Sequence, residues 1–258
     1  MEGFKAAAYR RVYRGLLAAT LSSLLILLVA LVALAGTLSE LRSGVPLGEL
    51  MQRGSEGLAP QYREMIRLTN ALRMVLRFLS AIPVLAGLTD VLPASSQYRR
   101  ARMLFFIRFL MDAVFSFVDA LLLTLDHRDL VLGTASETFS LLRNLISMLD
   151  LTCFIGIGFA AGIFLLCGYI ETLTAVGMEE RNPRLLRLTH SLIFVCSIMA
   201  VAGIGFGVLW LAGPGLSSPA TLTLLGFLIF CFLLRFIQRF LIVRETRLLA
   251  AVMEAISE

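Results

Sequence analysis

Apolar residues in this chain come in long blocks, without the strict alternation of a half-buried strand. A helix needs about 20 mostly apolar residues to cross the hydrocarbon core of a bilayer. No charge occurs from Gly15 to Ser39, and the run is dense in Leu, Ala and Val, which predicts a first span over 15–38. A second block, 69–92, carries Arg73, Arg77 and Asp90; a third, 103–125, carries Arg108, Asp112 and Asp119. A fourth, 150–171, has no charge between Asp150 and Glu171. Between Arg187 and Arg235 nothing is charged, a length for two spans, and Gly213, Pro214, Gly215 and Pro219 break it in the middle. This predicts a fifth span over 189–212 and a sixth over 220–241. The expected fold is all-α: one polytopic membrane helix bundle of about six transmembrane helices over 1–258. Residues 39–68 form its external loop, with short helices at 49–53 and 61–72, and 242–258 form a helical tail.

Composition agrees with that class. With 58% hydrophobic and 16% charged residues and a mean hydropathy of +0.86, the chain is too apolar for a soluble enzyme or a disordered segment. The net charge of +5 is almost wholly arginine, since Lys5 is the only lysine. The arginines sit in short clusters beside apolar blocks: Arg10, Arg11 and Arg14; Arg99, Arg100 and Arg102; Arg181, Arg184 and Arg187; Arg235, Arg239, Arg244 and Arg247. Six spans put all four clusters on one side, and the positive-inside rule makes that side cytoplasmic, with both termini on it. This points to a bacterial inner membrane and away from nucleic acid; the lipid bilayer is the expected partner. At the N-terminus, Ala33-Leu34-Ala35 before Gly36 resembles a signal cleavage site, but the preceding apolar run is longer than the roughly 7–15 residues of a signal core. A retained anchor is the expectation.

Ionisable groups at membrane depth are costly and normally face a partner or the bundle interior. On the third predicted helix Arg108, Asp112, Ser116, Asp119 and Asp126 fall within roughly 80° of arc, forming one polar stripe. On the second, Asn70, Arg73 and Arg77 share a face. In an antiparallel hairpin about the 98–99 loop, residues equidistant from its centre lie at equal depth. That register pairs Arg77 with Asp119, Arg73 with Asp126 and Asp90 with Arg108, and leaves Asp112 to Arg108, one turn away. The pairs either lock two helices together or line a path for a proton or ion. A third arrangement, the third helix lying in the interface, is disfavoured by the three pairs.

Gly-Ile-Gly-Phe occurs at 156–159 and again at 203–206. Gly158 with Gly162, and Gly203 with Gly207, make GxxxG pairs, whose small residues let helices approach closely. A depth register centred between 180 and 181 sets Gly156 opposite Gly205 and Gly158 opposite Gly203, predicting a glycine seam between helices four and five.

Catalytic chemistry is thinly represented. There is no phosphate-binding glycine loop, no GxSxG, and His127-Arg128-Asp129 stands without the other kinase motifs. The two histidines, His127 and His190, fall on opposite sides of the predicted membrane, and Cys153, Cys167, Cys196 and Cys231 lie in apolar blocks without metal-binding spacing. No catalytic, metal or cofactor residues are predicted, and an enzyme is the less favoured class. The leading expectation is a non-catalytic scaffold or accessory subunit of a membrane complex; the alternative is a proton- or ion-coupled transporter using the charged faces of helices two and three.

The last span has no breaker after Gly226, so a continuous helix is expected from about Thr221 to Ile256, leaving the membrane near Arg239 with its arginines reaching the headgroups. Leu248, Leu249, Val252, Met253 and Ile256 then share one face. That face is predicted to pack on neighbouring helices or serve a protein partner or self-association, ahead of lying on lipid.

Overall fold

The computed structural model describes the backbone of residues 2–45, 58–132, 137–211 and 218–257. Side chains are described at 6–25, 27–45, 58–118, 121, 156–203, 205, 223, 226–227 and 229–256. The described residues contain no strand and six long helices: α1 (Glu2–Arg42), α2 (Pro60–Val91), α3 (Ser96–Leu132), α4 (Glu137–Ala175), α5 (Asn182–Leu211) and α6 (Ser218–Ser257). Short 3₁₀ turns at Leu92–Ala94 and Glu179–Arg181 join α2 to α3 and α4 to α5. At 1.5 Å per residue, helices of 30 to 41 residues are about 45–60 Å long, well beyond a bilayer core. Among the described residues four segments are long and apolar enough to cross a membrane: Ala6–Arg42, Pro60–Ala94, Gly156–Ala175 and Glu179–Gly203. Six spans are expected from the sequence; length and apolarity support four of them here.

The chain divides into two compact units. Unit 1 comprises Met1–Gly87 and His190–Glu258, and so holds α1, most of α2, most of α5 and α6. Unit 2 is Leu88–Thr189, built on the α3–α4 hairpin.

In unit 1, α1 and α6 pack along each other. Arg10 Nη2 contacts Glu254 Oε1 at 2.8 Å and Arg239 reaches the Ala19 carbonyl at 3.1 Å, which makes the two helices antiparallel. The α1–α2 pair is antiparallel too, with Gly15 against Ser80 and Val84, and Gly87 against Ala8 and Val12. Buried apolar side chains of this unit include Ala8, Tyr9 and Val12 on α1, Val84 on α2, Leu192 and Val195 on α5, and Cys231, Ile242, Val243, Leu249, Ala250 and Met253 on α6, so buried positions run along α6 from Cys231 to Met253. Leu249 and Met253 of the tail are buried, and Ile256 remains exposed, so the tail's apolar face is largely used inside its own unit. Ala6, Ala8, Tyr9, Val12 and Leu16, ahead of the signal-like Ala33 site, are buried.

α2 passes through Pro83 without ending, although proline removes one helix donor. Two glycines close helix ends by the same geometry. Gly44 and Gly177 have φ of +90° and +74°, a conformation open to a residue without Cβ. After α4, Met178 N donates to Leu173 O at 2.9 Å and Gly177 N to Thr174 O at 3.1 Å; after α1, Val45 N donates to Glu40 O at 3.2 Å and Gly44 N to Leu41 O at 3.1 Å. These are Schellman closures, which satisfy the last helical carbonyls.

In unit 2 the start of α3 is clasped to the end of α4. Ser95 Oγ caps α3 by accepting from Gln97 N at 3.0 Å and donates to Glu171 Oε2 at 2.5 Å. Gln97 Nε2 donates to Glu171 Oε1 at 3.0 Å, and the Tyr98 hydroxyl and Thr172 Oγ1 share a 2.8 Å bond. The fully buried Tyr98 ring lies over Gly168, where a Cβ would stand 2.5 Å from Cε1.

Candidate functional site: a polar layer across unit 1

One level of unit 1 ties four helices together through polar side chains. On α1, Ser22 Oγ donates to the Arg73 carbonyl of α2 at 3.4 Å, while Ser23 Oγ accepts from Arg239 of α6. The same Arg239 guanidinium donates to the Ala19 carbonyl, and its neighbour Gln238 donates through Nε2 to the carbonyl and hydroxyl of Ser191 on α5, at 2.8 and 2.9 Å. Arg77, Ser80, Arg235, Gln238 and Arg239 are all buried. These bonds from Ser22, Gln238 and Arg239 end on a neighbouring helix's backbone carbonyl or serine hydroxyl, so they hold helices in register.

The sequence locates half of this layer. Arg73 and Arg77 are in it: Arg73 is half-buried and Arg77 is 7% exposed, with Ser80 donating to its carbonyl at 2.7 Å. Arg235 and Arg239 are a correction. They were expected to extend toward headgroups at the exit of the last span, yet both are over nine-tenths buried and Arg239 turns inward to α1. The signal was present, since Arg235, Gln238 and Arg239 share one helical face; its direction was set by α1, which offers Ala19 and Ser23 at that level. Ser22, Ser23 and Ser191 carry no such signal, because serine in an apolar helix most often bonds its own preceding turn, as Thr20 does to Leu16.

In unit 2, Arg108 Nε lies 4.0 Å from Asp112 Oδ2, one helical turn away, and Asp112 is 8% exposed. Asp90 is half-buried near the end of α2. The side chains of Asp119 and Asp126 lie outside the described residues, so the pairings of Arg77 with Asp119 and Arg73 with Asp126 do too. No family model, curated protein or solved structure matches this chain. Among the described residues no group of three or more His, Cys, Asp or Glu side chains could hold a metal.

Gly158 and Gly162 are buried, but a Cβ placed at Gly156, Gly203 or Gly205 meets nothing within 4 Å; the surroundings of Gly207 lie outside the described residues. An added Cβ would come within 3 Å of a neighbouring atom at Gly15, Gly87 and Gly168, none of them in a GxxxG pair.

The layer makes a graded prediction. Arg239→Leu removes a charged donor from a buried carbonyl and hydroxyl and should lower stability by about 2 kcal/mol, whereas Ser22→Ala, whose bond is long, should cost under about 1 kcal/mol. Thermal unfolding of both variants in one detergent measures the difference. Equal losses would mean that Arg239 contributes no more than a neutral hydroxyl.

Proposed function

We propose that this chain is a non-catalytic integral membrane protein, a scaffold or accessory subunit of a larger membrane complex. Its helices are compatible with an integral membrane protein. The finer reading is supported by one observation: the polar layer of unit 1 is bonded helix to helix, through Ser22, Arg239 and Gln238, onto backbone carbonyls. An element that must rock or unwind around a substrate would have to break these bonds in each cycle, whereas a support for other subunits benefits from them. The C-terminal helix is the proposed contact for a protein partner or for self-association, through residues such as Ile256 that its own unit leaves exposed.

Ion-coupled transport is the alternative, favoured by Asp112, a buried carboxylate within α3 beside Arg108. Affinity purification from native membranes in mild detergent, with mass spectrometry, tests the first; proton flux in proteoliposomes tests the second. A stoichiometric membrane partner and no flux is the expected result. Flux that is abolished by Asp112→Asn would replace the scaffold with a transporter.

A further inference from the structure

We propose that Arg14, Arg244 and Arg247 form a binding site for the phosphate of an anionic phospholipid in the leaflet on the N-terminal side of unit 1. The inference rests on the chain being embedded in a bilayer but is independent of the scaffold reading.

The bilayer edge is marked by the exposed faces of two helices. On α1 the exposed face runs Arg10, Arg14, then Leu17, Leu21, Leu24, Leu28 and Leu31. On α6 it runs in the opposite sense, from Phe230, Leu233, Ile237 and Phe240 to Arg244 and Arg247. The change from arginine to leucine on α1 falls between 14 and 17, and on α6 between 240 and 244. The contacts of Arg10 with Glu254 and of Arg239 with Ala19 bring these two changes within about one helical turn in depth. Two helices that switch from apolar to charged surface at one depth mark where hydrocarbon ends.

The arginines at that edge are grouped by the α1–α6 seam. Arg10 and Glu254 meet across it. Arg14, four residues on from Arg10, and Arg247, seven back from Glu254, continue the same two faces toward the membrane, with Arg244 one turn beyond Arg247. The seam thus passes from an opposite-charge pair to three like charges within about a turn of that edge. All three are exposed, and none has an ion pair with a described residue. Like charges gathered at one place repel unless an anion lies among them. Guanidinium groups bind phosphate through paired, near-parallel hydrogen bonds, and an anionic headgroup adds the negative surface potential of its leaflet. Buried Arg239, roughly 10 Å deeper along α1, is separated from this belt by about seven residues of helix and is bonded to Ala19 and Ser23.

The test uses the full-length protein in neutral detergent, titrated with phosphatidylglycerol or phosphatidylcholine and read by native mass spectrometry and by thermal midpoint. Three proteins are compared: the wild type, Arg14→Gln/Arg244→Gln/Arg247→Gln, and Arg14→Lys/Arg244→Lys/Arg247→Lys. The wild type should retain phosphatidylglycerol in preference to phosphatidylcholine. The glutamine variant should lose affinity for it by roughly fivefold per arginine. The lysine variant keeps the charge that directs insertion, so it should insert normally and bind phosphatidylglycerol with an affinity between the other two. Equal retention of both lipids by the wild type, or undiminished preference in the glutamine variant, overturns the proposal. Stabilisation by inorganic phosphate alone that matches the lipid's also overturns it, by making the site one for free phosphate. If the glutamine variant inserts poorly, the lysine variant decides: affinity equal to that of the wild type would show a diffuse charge effect and no built site. A failure of the scaffold reading leaves these outcomes unchanged, since none depends on a protein partner.

Discussion

Gly15→Ala and Gly87→Ala should each destabilise the protein by about 2–3 kcal/mol, with Gly156→Ala, Gly203→Ala and Gly205→Ala unchanged or up to about 1 kcal/mol more stable. At Gly15 a new Cβ would lie 2.7 Å from the Ser80 carbonyl and 2.9 Å from Val84 N; at Gly87 it would lie 2.6 Å from the Ala8 carbonyl and 2.9 Å from Val12 N. Those are backbone atoms of a neighbouring helix, and no rotamer change relieves them. The helices must separate, which loosens the α1–α2 contact over several turns. At Gly156, Gly203 and Gly205 the added methyl meets nothing within 4 Å, and alanine is the better helix former. Five single variants, unfolded in one detergent, measure the contrast. Loss of stability at Gly203 or Gly205 equal to that at Gly15 would mean that the Gly-Ile-Gly-Phe patches pack as closely as Gly15 does.

Deletion of residues 246–258 should prevent stable accumulation of the protein. The segment holds buried Thr246, Leu249, Ala250 and Met253, along with Glu254, the partner of Arg10. Removing one buried Leu or Met side chain costs about 2–5 kcal/mol, and two with their neighbours approach the whole stability of a typical domain, about 5–15 kcal/mol. Pulse-chase of the truncated chain should show insertion followed by degradation. The single variant Glu254→Gln, which removes an exposed ion pair alone, should have a near-normal half-life. A truncated protein that persists and is lost only from a complex would assign the tail to a partner surface.

Helix content and the membrane-compatible class followed from the sequence because both depend on local properties. An uncharged run such as 15–39 can satisfy its backbone in hydrocarbon only as a helix, and the lack of Gly or Pro after Gly226 lets α6 run unbroken to Ser257. Gly177 closes α4 by its own φ, without help from any distant residue. Direction and contact were not local. Whether Arg239 reaches headgroups or the interior depends on α1 presenting Ala19 and Ser23 beside it, over 200 residues away in sequence. Which glycines accept another backbone depends on the register between helices, and a repeated Gly-Ile-Gly-Phe carries no record of it; Gly15 and Gly87 are isolated glycines made necessary by the level at which α1 meets α2. The tail likewise reads as an amphipathic helix by sequence, and only the antiparallel packing of α6 on α1 turned its apolar face into core. Sequence set where each helix could exist, since that is a matter of solvation and backbone bonding within one segment. Tertiary structure set which side of each helix was inside, since that is decided by the partner that buries it.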